Sequence, residues 1–196
     1  MDFTLFSQID YGSMVIKIIC GLLASAVFLY ILFIALKPKL KISEWVCIYE
    51  EEKEEKDENG KPVKKNTVWY EFKVVNRSLY NAYDVRFSLN LRVPFIVNSN
   101  KVNHNILPIE MREDYLPYIP RYRRAKGFAE HAIIVGTKHD IMTDINTANL
   151  DYELTVIAKH GLSNMTSIAY KRFESKSCVK KGHEFIFGKS LDTREV

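Results

Sequence analysis

The sequence predicts a mainly β protein: a single N-terminal transmembrane helix followed by an antiparallel β-sandwich, with a small β-barrel as the alternative closure. Three observations carry this expectation. Ile18 to Leu36 is an unbroken uncharged run, with Lys17 before it and Lys37, Lys39 and Lys41 after it. Several later stretches alternate apolar and polar residues at period two, the pattern of strands with one buried face. Asn, Gly and Pro punctuate these stretches, leaving room for few helices.

The apolar run spans roughly 28 Å at the helical rise, close to the ~30 Å hydrocarbon core, and a helix satisfies all its backbone groups internally. A cleaved secretory signal fits less well, because such apolar regions are about 7–15 residues long and end at a small-x-small site. A core helix apolar on every face needs a larger protein around it than the remaining chain supplies. Residues 1–17 are expected as an interfacial segment, with Phe3, Leu5, Phe6, Ile9 and Tyr11 suited to the headgroup layer. Within the helix Gly21 and Ser25 have the small-xxx-small spacing that lets two helices approach, which allows self-association. Lys37-Pro38 ends the helix. The lysines after it, against a flank containing Asp2 and Asp10, favour retention of the following domain on the cytoplasmic side of a cell (inner) membrane.

The β-sandwich is expected over residues 37–190, with 191–196 as a flexible tail. In its first strand Leu40, Ile42, Val46 and Ile48 share one face, against Lys41, Ser43, Trp45, Cys47 and Tyr49. Glu50 to Lys65 is a charged excursion, acidic then basic, with Asn59-Gly60 as a hairpin signal near its centre. It reads as a solvated hairpin whose arms face each other. Thr67 to Asn76 is a strand with Val68, Tyr70, Phe72 and Val74 on one side. Asp84 to Val93 is another, with Val85, Phe87, Leu89, Leu91 and Val93 alternating with polar partners.

Between these two strands lie Asn76-x-Ser78 and Ala82-x-Asp84-Val85. This order of apolar strand, Asn-x-Ser, short connection and renewed alternation resembles the immunoglobulin-like β-sandwich modules of single-pass bacterial membrane proteins. The resemblance covers about 25 residues; it implies a fold and carries no functional residues with it. Asn and Ser favour side-chain-to-backbone turn bonds, and Ala82 suits a place too tight for a larger residue.

Four prolines interrupt the middle of the chain, and a short strand is expected near Ile106 to Met111. Tyr115 to Lys126 then interleaves Arg121, Arg123, Arg124 and Lys126 with Tyr115, Tyr118 and Tyr122. Arginine offers a planar fork to phosphate or carboxylate and tyrosine a stacking face, so Arg121, Arg123, Arg124, Lys126, Tyr118 and Tyr122 are candidate contacts for a nucleotide, an anionic headgroup or an acidic partner. The competing reading is a solvated connection whose tyrosines cover the edge of the core. Further on, Ala132 to Val135 is an apolar core run, Thr137 to Leu150 a loop or helical turn, and Asp151 to His160 and Met165 to Phe173 form a hairpin about Gly161 to Asn164. His183 to Gly188 is a last strand, bringing the expected count to seven or eight.

No phosphate-binding loop, dinucleotide fingerprint, HExxH, GxSxG or paired CxxC is present, and no catalytic residue or cofactor is assigned. Only His139-Asp140 with Asp144, and Cys178 with His183, approach metal-ligand spacing, and no metal site is expected. The net charge of +4 over 196 residues, with both signs mixed, does not point to a nucleic-acid partner. Cys20, Cys47 and Cys178 form no visible disulfide framework. Asn76-Arg-Ser78 and Asn164-Met-Thr166 match the glycosylation tripeptide and are taken as structural residues. The leading expectation is therefore a membrane-anchored interaction module that binds a protein partner or scaffolds a membrane complex, with no enzyme activity expected. The alternative is a membrane effector that senses a small anionic ligand and assembles through its helix, as in bacterial defence systems.

Overall fold

The computed structural model describes residues 11–56, 62–98, 101–123, 130–148, 150–161 and 163–196. The expected interfacial segment up to residue 10, the Asn59-Gly60 turn, Arg124 and Lys126 lie outside the described residues. The chain divides into two compact units, Met1–Leu36 and Lys37–Val196. The first is α1 (Tyr11–Leu36), of which Gly12–Leu36 is long and apolar enough to cross a membrane. Among the described residues the helix already includes Tyr11, well before the expected Ile18. The apolar residues before Lys17 continue it, and a single lysine with a long apolar stem interrupts the hydropathy but not the backbone hydrogen bonding.

The second unit is built from β1 (Leu40–Lys56), β2 (Pro62–Asn76), β3 (Ala82–Asn98), β4 (Lys101–Ile109), β5 (Tyr115–Ile119), β6 (Ala132–Thr137), α2 (Ile141–Ala148), β7 (Asp151–His160), β8 (Thr166–Phe173), β9 (Val179–Lys181), β10 (His183–Phe185) and β11 (Thr193–Glu195). One sheet has the order β6-β2-β1-β9 and the other β4-β3-β7-β8, with β5 also paired to β3. Both sheets are open, so the sandwich rather than the barrel is realised. All pairs are antiparallel except β1 with β9, which is parallel.

The period-two stretches place their apolar sides between the sheets. Val46, Tyr70, Phe72, Val74 and Val135 from one sheet and Phe87, Leu89, Leu91, Tyr152, Leu154, Val156 and Phe173 from the other form one core. Phe72 and Phe173 meet with ring centroids 5.2 Å apart. Each such side chain contributes about 1.5–3 kcal/mol on full burial, so this cluster is the main source of stability. Near the start of β1 the pairing skips from Ile42↔Val74 to Val46↔Phe72. The two extra residues keep the parity, and both halves of the strand point the same face at the core. Ile141 and Ile145 of α2 join the core. Asp140 caps this helix, accepting from the Thr143 N–H at 3.1 Å and the Thr143 hydroxyl at 2.6 Å.

The outer face of the β6-β2-β1-β9 sheet is also covered, which period-two reading does not anticipate. Cys47, Trp69, Lys73 and Val75 point away from the core and are nevertheless buried. Arg112 and Lys138 lie over the Trp69 ring, and the C-terminal segment covers the part of the face around Lys73 and Ser43. The Lys73 ammonium donates to the Ile186 carbonyl, and the Ser43 hydroxyl donates to the Leu191 carbonyl at 2.6 Å. The end of the chain is therefore not a free tail: β11 pairs with β10 through His183↔Glu195 and Phe185↔Thr193. A hairpin this short is marginal alone and is held by what it covers.

The registers give this unit two distinct ends. Leu40, Asn76, Ala82, Ile119, Ala132 and His160 cluster at the end where the chain enters from Lys37. The β1–β2 and β3–β4 hairpins run toward the other end.

Candidate functional site

At the first end Asn76 organises the backbone. Its side chain is fully buried, and its amide N–H groups are shared among the carbonyls of Tyr80 at 3.0 Å, Ile119 at 3.2 Å and Pro120 at 3.0 Å. Its oxygen accepts from the Ser78 N–H at 2.9 Å and from the Ser78 hydroxyl. Ser78 Oγ accepts from the Lys39 N–H at 3.1 Å, and the Arg77 N–H donates to the Lys39 carbonyl at 2.8 Å. One Asn-x-Ser turn thus fastens the start of β1, the β2–β3 connection and the chain leaving β5.

These bonds shape a pocket of about 800 Å³ between the start of β3, the segment after β5 and the β7–β8 turn. Arg121, Arg123 and Lys159 line it with Leu79, Tyr80, Asn81, Tyr83, Asp84, His160, Gly161 and Asn164. The Arg121 N–H donates to Asn81 Oδ1 at 2.9 Å, and Asn81 Nδ2 donates to the Tyr83 hydroxyl at 3.2 Å. Tyr83 lies directly against Gly161, where a Cβ would stand 2.7 Å from its Cε2. On its other side Tyr83 packs on Tyr118, with centroids 6.3 Å apart. Tyr80 meets His160 edge-on at 5.1 Å, and the His160 ring nitrogen Nδ1 accepts from the Ser163 N–H at 3.2 Å.

Asp84 and Asn164 are the two non-glycine residues with positive φ among the described residues, at 47° and 53°, and both line this pocket. Strain of this kind concentrates at working sites, and Asp and Asn bear it best among side-chain-bearing residues. At Asp84 the β3 strand bulges, and its carboxylate takes Lys159 at 2.6 Å and Arg86 at 3.4 Å. The hydrogen bond from Lys159 holds the Asp84 carboxyl below the usual carboxylate range.

The expected anion-binding stretch is therefore divided. Tyr115 to Ile119 is strand β5 and not loop. Arg121 and Arg123 converge on the pocket, and Tyr118 supports it through Tyr83. Tyr122 leaves in another direction, with its N–H on the Ser78 carbonyl and its ring edge-on to His131 at 5.0 Å. Lys159, Tyr80, Asn81, Tyr83 and Gly161 were not legible as site residues, since they are assembled by the pairing of β3 with β5 and β7. The cluster of Tyr80, Asn81 and Tyr83 beside the Asn-x-Ser turn was the available signal.

The spacings considered for metal are otherwise employed. His139 Nε2 lies 2.7 Å from Asp144 Oδ2, which also accepts from the Tyr152 hydroxyl, and the Tyr70 hydroxyl donates to Asp140 at 2.6 Å. Burial pushes the Tyr70 hydroxyl up to about 12. His183 Nδ1 donates to the Lys181 carbonyl at 3.0 Å. Among the described residues no three His, Cys, Asp or Glu side chains are placed to share a metal ion. In α1, Ser25 Oγ donates to the Gly21 carbonyl at 2.9 Å, and a Cβ at Gly21 would meet nothing, so both positions lie on an open face.

At the opposite end β3 continues past its last pairing with β7, Arg92↔Asp151, and from Val93 onward is paired with β4 alone. This two-stranded ribbon exposes apolar side chains: Ile96 is 79 % exposed, Ile106 63 % and Val102 62 %, with Phe95, Val97 and Leu107 beside them. Ile96 and Val102 are direct cross-strand neighbours. The other hairpin, β1–β2, is polar at the corresponding level, where Lys64 pairs with Glu52 at 3.5 Å. No protein-family model matches the chain, and no curated protein matches it.

Proposed function

We propose that the protein is a single-pass, membrane-anchored interaction module whose immunoglobulin-like β-sandwich docks a protein partner on the cytoplasmic side of the membrane. One observation carries the reading: the β3–β4 ribbon projects beyond the core with Ile96, Val102 and Ile106 exposed on one face. Contiguous apolar surface on a folded domain marks an interaction site or an aggregation hazard. Among the described residues the outer edge of β4 is unpaired, and edges of this kind receive an added strand from a partner, with alternate side chains setting specificity. The partner that fits is an extended apolar segment of another protein. Pro108, which has no N–H to offer, limits the length over which a strand can add.

A photo-crosslinking residue at Ile96 in the membrane-embedded protein tests this in cells. A discrete protein adduct is expected at Ile96 and not at Ser88, which is exposed on the same sheet away from the ribbon. The adduct is expected to vanish in a Val102→Lys, Ile106→Lys variant that unfolds at the parent's temperature. Equal crosslinking at Ile96 and Ser88, or an adduct indifferent to the two lysines, would refute partner docking at this ribbon.

A further inference from the structure

We propose that the pocket between β3, β5 and the β7–β8 turn binds a phosphate-bearing ligand, with the phosphate on Arg121 and Arg123 and a ring or apolar portion against Tyr83. The site is separate from the partner-docking ribbon, and its observations are independent of that reading. Three cations face one carboxylate in the lining, and that carboxylate, Asp84, is engaged by Lys159 and Arg86. Neither Arg121 nor Arg123 is ion-paired among the described residues. Arg121 and Arg123 are two residues apart on one short segment and both line the pocket, and guanidinium groups of this kind take phosphate oxygens in bidentate fashion.

The segment that carries them is fixed before any ligand arrives. Pro120 is held through its carbonyl by Asn76, Arg121 through its N–H by Asn81, and Tyr122 through its N–H by Ser78. Backbone already ordered in this way does not lose that freedom on binding. Tyr83 is equally constrained, by Gly161, Asn81 and Tyr118, and presents an aromatic surface on the same pocket. The volume of about 800 Å³ lies within the roughly 300–1,000 Å³ of small-molecule sites. A soluble nucleotide and the headgroup of an anionic lipid share this chemistry, a phosphate joined to a larger body, and the test separates them.

The full chain with Leu79→Cys is placed in phosphatidylcholine nanodiscs, and maleimide modification of that cysteine is followed on its own peptide. Leu79 is 74 % exposed and lines the pocket, so an occupant will shield it. ATP and inorganic pyrophosphate are the soluble probes, and both are expected to slow modification. Replacing Arg121 and Arg123 together by Gln removes two charge-assisted contacts and should raise the concentration required by about a hundredfold. Gly161→Ala displaces Tyr83 and should weaken ATP more than pyrophosphate. Slowing that appears without a probe in nanodiscs of equal parts phosphatidylglycerol and phosphatidylcholine, is lost in the Gln variant, and has no counterpart with the soluble probes assigns the lipid headgroup as the source. No slowing in any arm would overturn the proposal. So would slowing unchanged in the double Gln variant or, if that variant does not fold, in Arg123→Gln alone.

Discussion

Asn76 ties two segments together, because one buried side chain pairs the Ser78 N–H and Tyr80 carbonyl of the β2–β3 connection and the carbonyls of Ile119 and Pro120 at the end of β5. Buried carbonyls left without donors each lose about 1–3 kcal/mol, so Asn76→Ala should destabilise the domain by about 3 kcal/mol or more, measured by urea unfolding. Asn76→Asp should not rescue it, since a carboxylate cannot donate to the carbonyls of Tyr80, Ile119 and Pro120. Asp140 gives the acid dependence. Hydrogen bonds from Thr143 and Tyr70 hold its carboxyl below its ordinary value of 3.8. A carboxyl whose folded value is depressed adds stability that is complete above the unfolded value and is lost as pH falls through the folded one. Asp140→Asn should therefore be less stable than the parent at neutral pH, and the difference should shrink once the pH drops below 3.8. A difference that stays constant through acid would show that capping geometry, and not ionisation, is what Asp140 provides.

Elements differ in how far the sequence discloses them. Asp151–His160 was bounded correctly by alternation alone, because β7 lies inside a sheet and every second residue meets the core. Alternation predicts a strand ending at Val93, whereas β3 continues to Asn98. Pro94 and the loss of alternation past Val93 mark where the core stops, not where the strand stops. The C-terminal cover was invisible for a different reason: the groups that receive Lys73 and Ser43 are main-chain carbonyls of Ile186 and Leu191, which carry no side-chain pattern. The candidate site was half legible. Arg121 and Arg123 stood out as charge beside tyrosine in one stretch, while Lys159 and Gly161 sit in an ordinary hairpin and become site residues only through the β3–β7 register. For α1 the spacing of Gly21 and Ser25 makes helix association a prediction to test, because small residues at that spacing let backbones approach. Gly21→Ile should reduce disulfide-independent crosslinking between chains in membranes, and Val27→Ile, also exposed, should leave it unchanged. Equal crosslinking by parent and Gly21→Ile would make the helix a plain anchor.

At the scale of the molecule, the β unit presents different chemistry at its two ends: a basic, aromatic pocket near Lys39 and an apolar ribbon beyond Arg92. The proposal puts both ends in the cytoplasm, and it rests on the lysines that follow the helix, since short basic segments next to a span are retained there. Glu52, exposed on the β1–β2 hairpin, is the place to test it. Cys20 and Cys178 are replaced, while Cys47 can stay, because its side chain is buried and burial pushes its thiol up to about 12, which disfavours the reactive thiolate. In intact cells a membrane-impermeant maleimide should leave Glu52→Cys unmodified, and permeabilisation should make it reactive. Modification in intact cells would place the β unit outside. In a host that glycosylates secreted proteins, Asn164 would then become a possible acceptor, because it is exposed, whereas Asn76 would remain unmodified with its amide buried against three carbonyls.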